Sequence, residues 1–146
     1  MTSSTSSSTP RRDGLECVAY MDSVLSGEVV ACEKITKLCR MMRPRIEGGY
    51  KCWRYDPEAA KRPVEFIERF CCNPQGRPGQ HLVMQPYQLN AIELTFGFVD
   101  ENSLRQFNEL MWVMARKQGK TALIAALTLS MLMADREGYP PCYSPA

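Results

Sequence analysis

The most restrictive feature of the sequence is the Gly119-Lys120-Thr121 turn, which stands between two apolar segments of different character. Residues 110–114 (LMWVM) are apolar without alternation, a pattern that predicts a short strand buried on both faces, as in a parallel sheet. Residues 122–133 are almost wholly apolar and rich in good helix formers, so they predict a helix. The order strand, turn, helix predicts an α/β fold.

This order places a Gly-Lys-Thr turn where a phosphate-binding loop needs it. Backbone N–H groups at a helix start face phosphate oxygens, and the helix dipole adds positive potential. Lys120 would reach the β- and γ-phosphates of ATP, and the Thr121 hydroxyl would bind Mg²⁺. The strict pattern G-x-x-x-x-G-K-[ST] is not met, because Met114 stands where its first glycine would be. The alternative is a solvated loop lysine, which the flanking strand and helix make less favoured.

Two further cations, Arg116 and Lys117, lie in the same turn. They would neutralise part of a triphosphate, although a merely basic loop would look the same. Together with Gln118 they complete the cofactor-binding residues that we predict at this turn.

The chain before this unit is predicted to be helical. A first helix covers residues 13–25, and Ser26 is expected to cap a second one that ends at Gly48-Gly49. Asp56-Pro57 predicts the start of a third helix, because an acceptor side chain precedes a proline at the first helical position. A loop follows at residues 73–79, and a fourth helix covers residues 85–96.

The predicted buried faces follow the helical period. The second helix would bury a stripe of six apolar residues, and the third would bury Val64, Ile67 and one further residue. The second stripe is Val29, Val30, Ile35, Leu38, Met42 and Ile46, and the additional third-helix residue is Phe70 or Cys71. Proline inside a helix removes a hydrogen bond, so Pro44 predicts a disturbed last turn of the second helix, and Pro63 predicts a kink or a false start of the third.

Bulk properties restrict the partners. Residues 2–9 are all serine or threonine, so residues 1–12 are expected to be a disordered tail, followed by a helical region at 13–106 and an ATPase core from 107–146. Net charge is only +2, and it is balanced in residues 1–56 and 57–146, so any DNA contact must come from a local patch. Seven cysteines without C-x-x-C predict reduced thiols. No apolar run approaches the roughly 20 residues of a membrane span, which predicts a soluble protein.

Four blocks resemble the large terminase subunit of tailed phages. VMARKQGKTALIAALTL is similar to the family's deviant Walker A motif. Upstream, SGEVVACEKITKLCR, YDPEAAKRPVEFIERF and QHLVMQPYQLNAIELTFGF resemble the family's opening helix, its next helix and the segment before its ATPase core. The resemblance covers roughly residues 14–138.

The resemblance implies an ATPase that translocates DNA into a procapsid. It implies that Gly119, Lys120 and Thr121 bind phosphate and Mg²⁺, with Arg116 or Lys117 as the basic residue of the loop and Lys120 and Arg116 as catalytic residues. Gln88 falls at the family's adenine-reading glutamine, and Tyr87 beside it would stack on the base. Their alternatives are an exposed helix residue and a core aromatic. The implied partners are double-stranded DNA, a portal protein and the small terminase subunit, in a homo-oligomeric ring in the host cytoplasm.

Part of an ATPase site is not found in the sequence. After Thr121 the only acids are Asp135 and Glu137, and neither ends an apolar strand as a Mg²⁺-binding acid would. We therefore expect a truncated core that is inactive alone, without the family's nuclease domain. One alternative is a generic P-loop NTPase, such as a helicase or kinase. Another is a small helical DNA-binding or scaffold protein, supported by the basic residues Lys34, Lys37, Arg40, Arg43 and Arg45. A solvated helix face is the favoured interpretation of these residues, because Glu28, Glu33 and Glu47 lie alongside them.

Overall fold

A computed structural model describes residues 16–73, 77, 79–113, 115–116 and 118–134. These residues form five α-helices and one small sheet. In chain order the elements are α1 (Glu16–Ser26), α2 (Glu33–Gly48), β1 (Arg54–Tyr55), α3 (Pro57–Phe70), α4 (Pro86–Gly97), β2 (Phe98–Val99) and α5 (Lys120–Ala134). None of these helices is long and apolar enough to cross a membrane.

Helix α4 is the centre of the fold. It packs against α1 and α3, while α2 covers α1 and α5 covers α3. One apolar cluster joins α3, α4 and α5, and a second joins α1, α2 and the end of α4. The first contains Val64, Ile67, Met84, Leu89, Ile92, Phe96, Leu123 and Ala126, and the second Cys17, Met21, Val24, Cys39, Met42, Leu94 and Phe98. Because neighbours cover α4 on opposite faces, its buried residues do not follow a single stripe.

Helix α3 begins as predicted. The Asp56 side chain accepts hydrogen bonds from the backbone N–H groups of Glu58 (2.9 Å) and Ala59 (3.3 Å). The predicted false start is wrong, because α3 is continuous through Pro63, which lies on its buried face. Burial of the proline ring there offsets the hydrogen bond that proline cannot donate.

At the carboxyl-terminal end of α3, the structure decides between Phe70 and Cys71 as the last buried residue, and in α2 it shows the effect of Pro44. Phe70 is 63% exposed, whereas Cys71 is half-buried against the first cluster, so Cys71 continues the core face. Pro44 does not end α2, which continues to Gly48. The exposed position of Pro44 gives its ring room without displacing a neighbouring element.

The predicted cap of α2 is wrong. Ser26 is the last residue of α1, and Gly27 follows it with a φ of 86°. Helix α2 begins only after Cys32, so Val29 and Val30 belong to the connection, and Val30 is 97% exposed. Glycine in the left-handed region ended the first helix without starting the next one.

The predicted strand at 110–114 is also wrong for residues 110–113, which the structure describes. Residues 110–113 form no strand, Met111 is 90% exposed, and Trp112 packs against the first cluster. Met114 lies outside the described residues. The sheet that is described is antiparallel, pairing β1 with β2 (Arg54 with Val99, Tyr55 with Phe98), so the expected parallel sheet is absent from the described residues. A strand needs a neighbour for its backbone groups, and no described segment pairs with 110–113.

Some predictions fall outside the described residues. These are the disordered tail at 1–12, the helix start at Asp13 and parts of the 73–79 loop. The predicted helices at 85–96 and 122–133 are confirmed by α4 and α5.

Candidate functional site

A cleft of about 1180 Å³ lies between the start of α5 and the segment that enters α4. One wall comes from the α3–α4 connection and the first turn of α4, and the other from the turn before α5 and its first residues. The lining residues are Asn73, Leu82, Val83, Gln85, Tyr87, Gln88, Ala115, Arg116, Gln118, Gly119, Lys120, Thr121, Ala122, Leu123 and Ala125. Small-molecule sites occupy roughly 300–1,000 Å³, so this cleft has room for a nucleotide.

Gly119 sets the geometry where α5 begins. Its φ is 71°, which an L side chain adopts only with strain, although an added Cβ would have no atom within 4 Å. Its carbonyl accepts the Leu123 N–H at 3.0 Å, the first hydrogen bond of the helix. The N–H groups of Lys120 and Thr121 in that first turn have no carbonyl four residues back within the helix to bond. The cleft therefore contains a helix N-terminus.

The side chains of this turn are exposed, and two of them are positively charged. Arg116, Gln118, Lys120 and Thr121 all line the cleft. Among the lining residues that the structure describes, Arg116 and Lys120 are the charged ones, and no carboxylate accompanies them. Lys117 lies outside the described residues. Two cations and a helix N-terminus favour an anionic ligand in this cleft.

The opposite wall is held to the turn by a side-chain contact. Tyr87 is half-buried, and its hydroxyl donates to Gln118 Oε1 at 3.5 Å. Gln88 is buried, and its Oε1 accepts the Gln85 N–H at 2.8 Å, which caps the start of α4. Gln88 is thus not exposed, which contradicts the alternative of an exposed helix residue. It also has a structural role at the start of α4.

The structure brings the predicted residues of two distant segments to one cleft, with Lys117 the exception because it is not described. Sequence reasoning missed the wall formed by Asn73, Leu82 and Val83. That wall arises because the α3–α4 connection folds back on itself: the Leu82 N–H donates to the Cys71 carbonyl at 2.9 Å. The connection is polar and rich in glycine and proline, so no local pattern in it indicated this return.

A buried polar cluster lies apart from the cleft. The Cys17 N–H donates to Glu93 Oε2 at 2.8 Å, and Cys17 Sγ lies 3.2 Å from the Tyr55 hydroxyl. Burial raises the pKa of Cys17 to about 12 and raises the pKa of Tyr55 and of Glu93. The cluster joins α1, α4 and β1, and its thiol stays protonated and unreactive near neutral pH.

Half of the chain is similar to a curated phage protein. Over 73 residues it is 34% identical to "Terminase, large subunit" of Enterobacteria phage HK97. That stretch is 50% of this chain and 14% of the phage protein, so the chain spans a small part of its relative's length. The similarity supports a terminase-like relationship. No protein-family model matches the sequence, and no solved structure matches the fold.

Proposed function

We propose that the cleft binds ATP with Mg²⁺ and that the chain is the ATP-binding segment of a motor that packages DNA into a phage procapsid. The observation that carries the proposal is the cleft itself, where a Gly-Lys-Thr helix start and the Tyr87-Gln88 pair face one cavity. The partial similarity to a terminase large subunit supports the choice of a packaging motor over a helicase or kinase.

Each residue has a role in this proposal. Lys120 contacts the β- and γ-phosphates, Thr121 holds Mg²⁺ through its hydroxyl, and the N–H groups of the first turn of α5 bind phosphate oxygens. Arg116, with Lys117 and Gln118, neutralises and orients the triphosphate. These groups fit an anion because the described lining carries two cations and no carboxylate.

The base would lie at the other end of the cleft. Tyr87 supplies a ring for stacking, and Gln88 an amide that still has N–H donors after its oxygen has capped α4. The contact between Tyr87 and Gln118 supports a single site, because it connects the proposed base-binding and phosphate-binding walls.

The wider assembly is part of the proposal. Hydrolysis also needs an acid that holds Mg²⁺ and a group that orients water, and the described lining of the cleft contains no carboxylate for either role. The proposed partners are double-stranded DNA, a portal protein and a small terminase subunit. The proposed assembly is a homo-oligomeric ring in the host cytoplasm.

Calorimetric titration of the chain with ATP and Mg²⁺ tests the site. Lys120→Ala removes a cation from the phosphate end, so we expect its affinity to fall at least about tenfold. Arg69→Ala is the matched control, because Arg69 is an exposed cation outside the cleft. Unchanged ATP affinity in Lys120→Ala, with a native far-ultraviolet spectrum, would remove Lys120 from the site. In the proposed packaging motor, the same substitution is expected to abolish packaging.

A further inference from the structure

Positive charge is concentrated in one segment of the chain, residues 33–54. The segment contains seven basic and two acidic residues, a net charge of +5, although the whole chain carries only +2. The other 124 residues therefore hold 11 basic and 14 acidic residues, a net charge of −3. The contrast does not show when the charges of residues 1–56 are counted together, because acidic residues outside the segment offset its charge. The segment forms α2, the turn after it and the first residue of β1.

Few of these cations are neutralised within the fold. Arg43 is the exception, because its Nε lies 2.8 Å from Asp22 Oδ1 and its Nη1 lies 2.6 Å from Glu47 Oε1. Arg43 therefore also pairs with Glu47, which is one of the two acidic residues of the segment. Three other cations of α2 are exposed and have no carboxylate partner in the described part of the chain: Lys34, Lys37 and Arg40. Their spacing of three residues keeps them close together along the helix.

The turn after α2 extends this row. The backbone N–H groups of Tyr50 and Trp53 each donate to the other residue's carbonyl, at 2.8 and 3.0 Å. The Arg45 guanidinium lies 3.9 Å from the centre of the Tyr50 ring, and the Lys51 ammonium lies 5.3 Å from it. The ring therefore holds a cation of α2 and a cation of the turn on one surface. Arg54 follows, also exposed.

We propose that this basic surface (Lys34, Lys37, Arg40, Arg45, Lys51 and Arg54) binds the sugar-phosphate backbone of double-stranded DNA without reading its sequence. A row of cations without carboxylate partners matches a polyanion, because each phosphate contact releases condensed counterions. The surface is separate from the nucleotide cleft, since none of its six residues lines that cavity. It deepens the proposed function by locating the DNA partner, but it depends on the charge distribution and not on ATP binding.

A membrane surface fits this segment less well than DNA does. Helices that lie on membranes insert an apolar face beneath their cations. The apolar face of α2 is already covered by α1, where Cys39 and Met42 are buried in the second cluster. The exposed side of α2 has one large apolar residue, Met41. Binding through phosphate contacts needs no such insertion.

Fluorescence anisotropy with a short duplex of arbitrary sequence, titrated over a range of salt concentrations, tests the proposal. Lys37→Gln/Arg40→Gln removes two cations of the surface, and Arg69→Gln/Arg77→Gln removes two exposed cations elsewhere with the same change in charge. We expect the first pair to weaken binding by about tenfold or more and to lower the slope of log K against log salt by about 2. The second pair should leave both quantities nearly unchanged.

Other outcomes overturn the proposal. Absence of duplex binding by the unaltered chain, or an equal loss in both variant pairs, excludes a localised DNA surface. Binding to vesicles that contain phosphatidylserine, without duplex binding at the same salt concentration, replaces DNA with a membrane. ATP titrations on the same proteins keep the two proposals apart, because Lys37→Gln/Arg40→Gln should retain ATP affinity and Lys120→Ala should retain duplex affinity.

Discussion

At the scale of single residues, Glu93 joins two helices through a buried hydrogen bond. It is buried, and its carboxylate accepts the Cys17 N–H in the first turn of α1. Glu93→Ala removes that acceptor and leaves a buried donor unpaired, so the free energy of unfolding should fall by about 1–3 kcal/mol. Glu93→Gln keeps an oxygen in place and should lose less near pH 7. Urea unfolding measures both variants, and equal losses would contradict the capping role.

The same residue makes stability depend on pH. Burial raises the pKa of Glu93 above its ordinary 4.5, so the folded state binds this proton more tightly than the unfolded state. The contribution of this proton to the stability of the folded state is complete below about pH 4.5 and is lost as pH rises through the folded-state pKa of Glu93. Glu93→Gln has no proton to lose, so its free energy of unfolding should rise relative to that of the unaltered chain as pH increases over that range. A constant difference between pH 4 and pH 7 would show that Glu93 does not titrate in this way.

Gln88 combines a structural role with the proposed base contact. Gln88→Glu preserves the oxygen that accepts the Gln85 N–H but removes the amide donors. We expect ATP binding to weaken more than binding of inorganic triphosphate, which has no base and experiences the same added charge. Competition titrations give the two affinities. An equal loss for both ligands would exclude Gln88 from adenine recognition.

At the scale of elements, the approach of α4 to β1 and α3 depends on Gly97. Its φ is ordinary, but an added Cβ would overlap the Tyr55 ring and lie 3.0 Å from the Ala60 Cβ. Gly97→Ala should therefore lower the free energy of unfolding by about 1–3 kcal/mol. Gly48 is the matched control: it also ends a helix without a positive φ, and nothing lies within 4 Å of its Cβ position. Thermal unfolding should find Gly48→Ala neutral or stabilised by up to about 1 kcal/mol. Similar losses in both variants would refute the close approach.

At the scale of the whole molecule, the charge of the cleft predicts binding without turnover. Arg116 and Lys120 can neutralise phosphate, but the described lining offers no carboxylate to hold Mg²⁺ or orient water. The 146-residue chain should therefore release no phosphate above background with ATP, Mg²⁺ and duplex DNA. A steady-state phosphate assay measures this. Turnover that disappears in Lys120→Ala would contradict the prediction.

Local signals explain which elements the sequence predicted. Asp56-Pro57 begins a helix because an acceptor side chain and a proline act within one turn, and Gly49 ends α2 for an equally local reason. The long apolar run at 122–133 identified α5. The Gly-Lys-Thr turn before it predicted an anion site at the start of that helix, because a glycine, a lysine and a helix N-terminus are adjacent in the sequence.

Only the tertiary structure decided what depends on distant neighbours. Residues 110–113 have a strand's composition, but no described segment pairs with them, and a strand exists only with its partner. Pro63 stays within α3 because burial of its ring offsets the lost hydrogen bond. The cleft exists because α3 packs against both α4 and α5, which brings the Tyr87-Gln88 wall to the start of α5 although the two are about thirty residues apart in the sequence. Sequence determined which residues can bind an anion or begin a helix, and packing decided which of them meet.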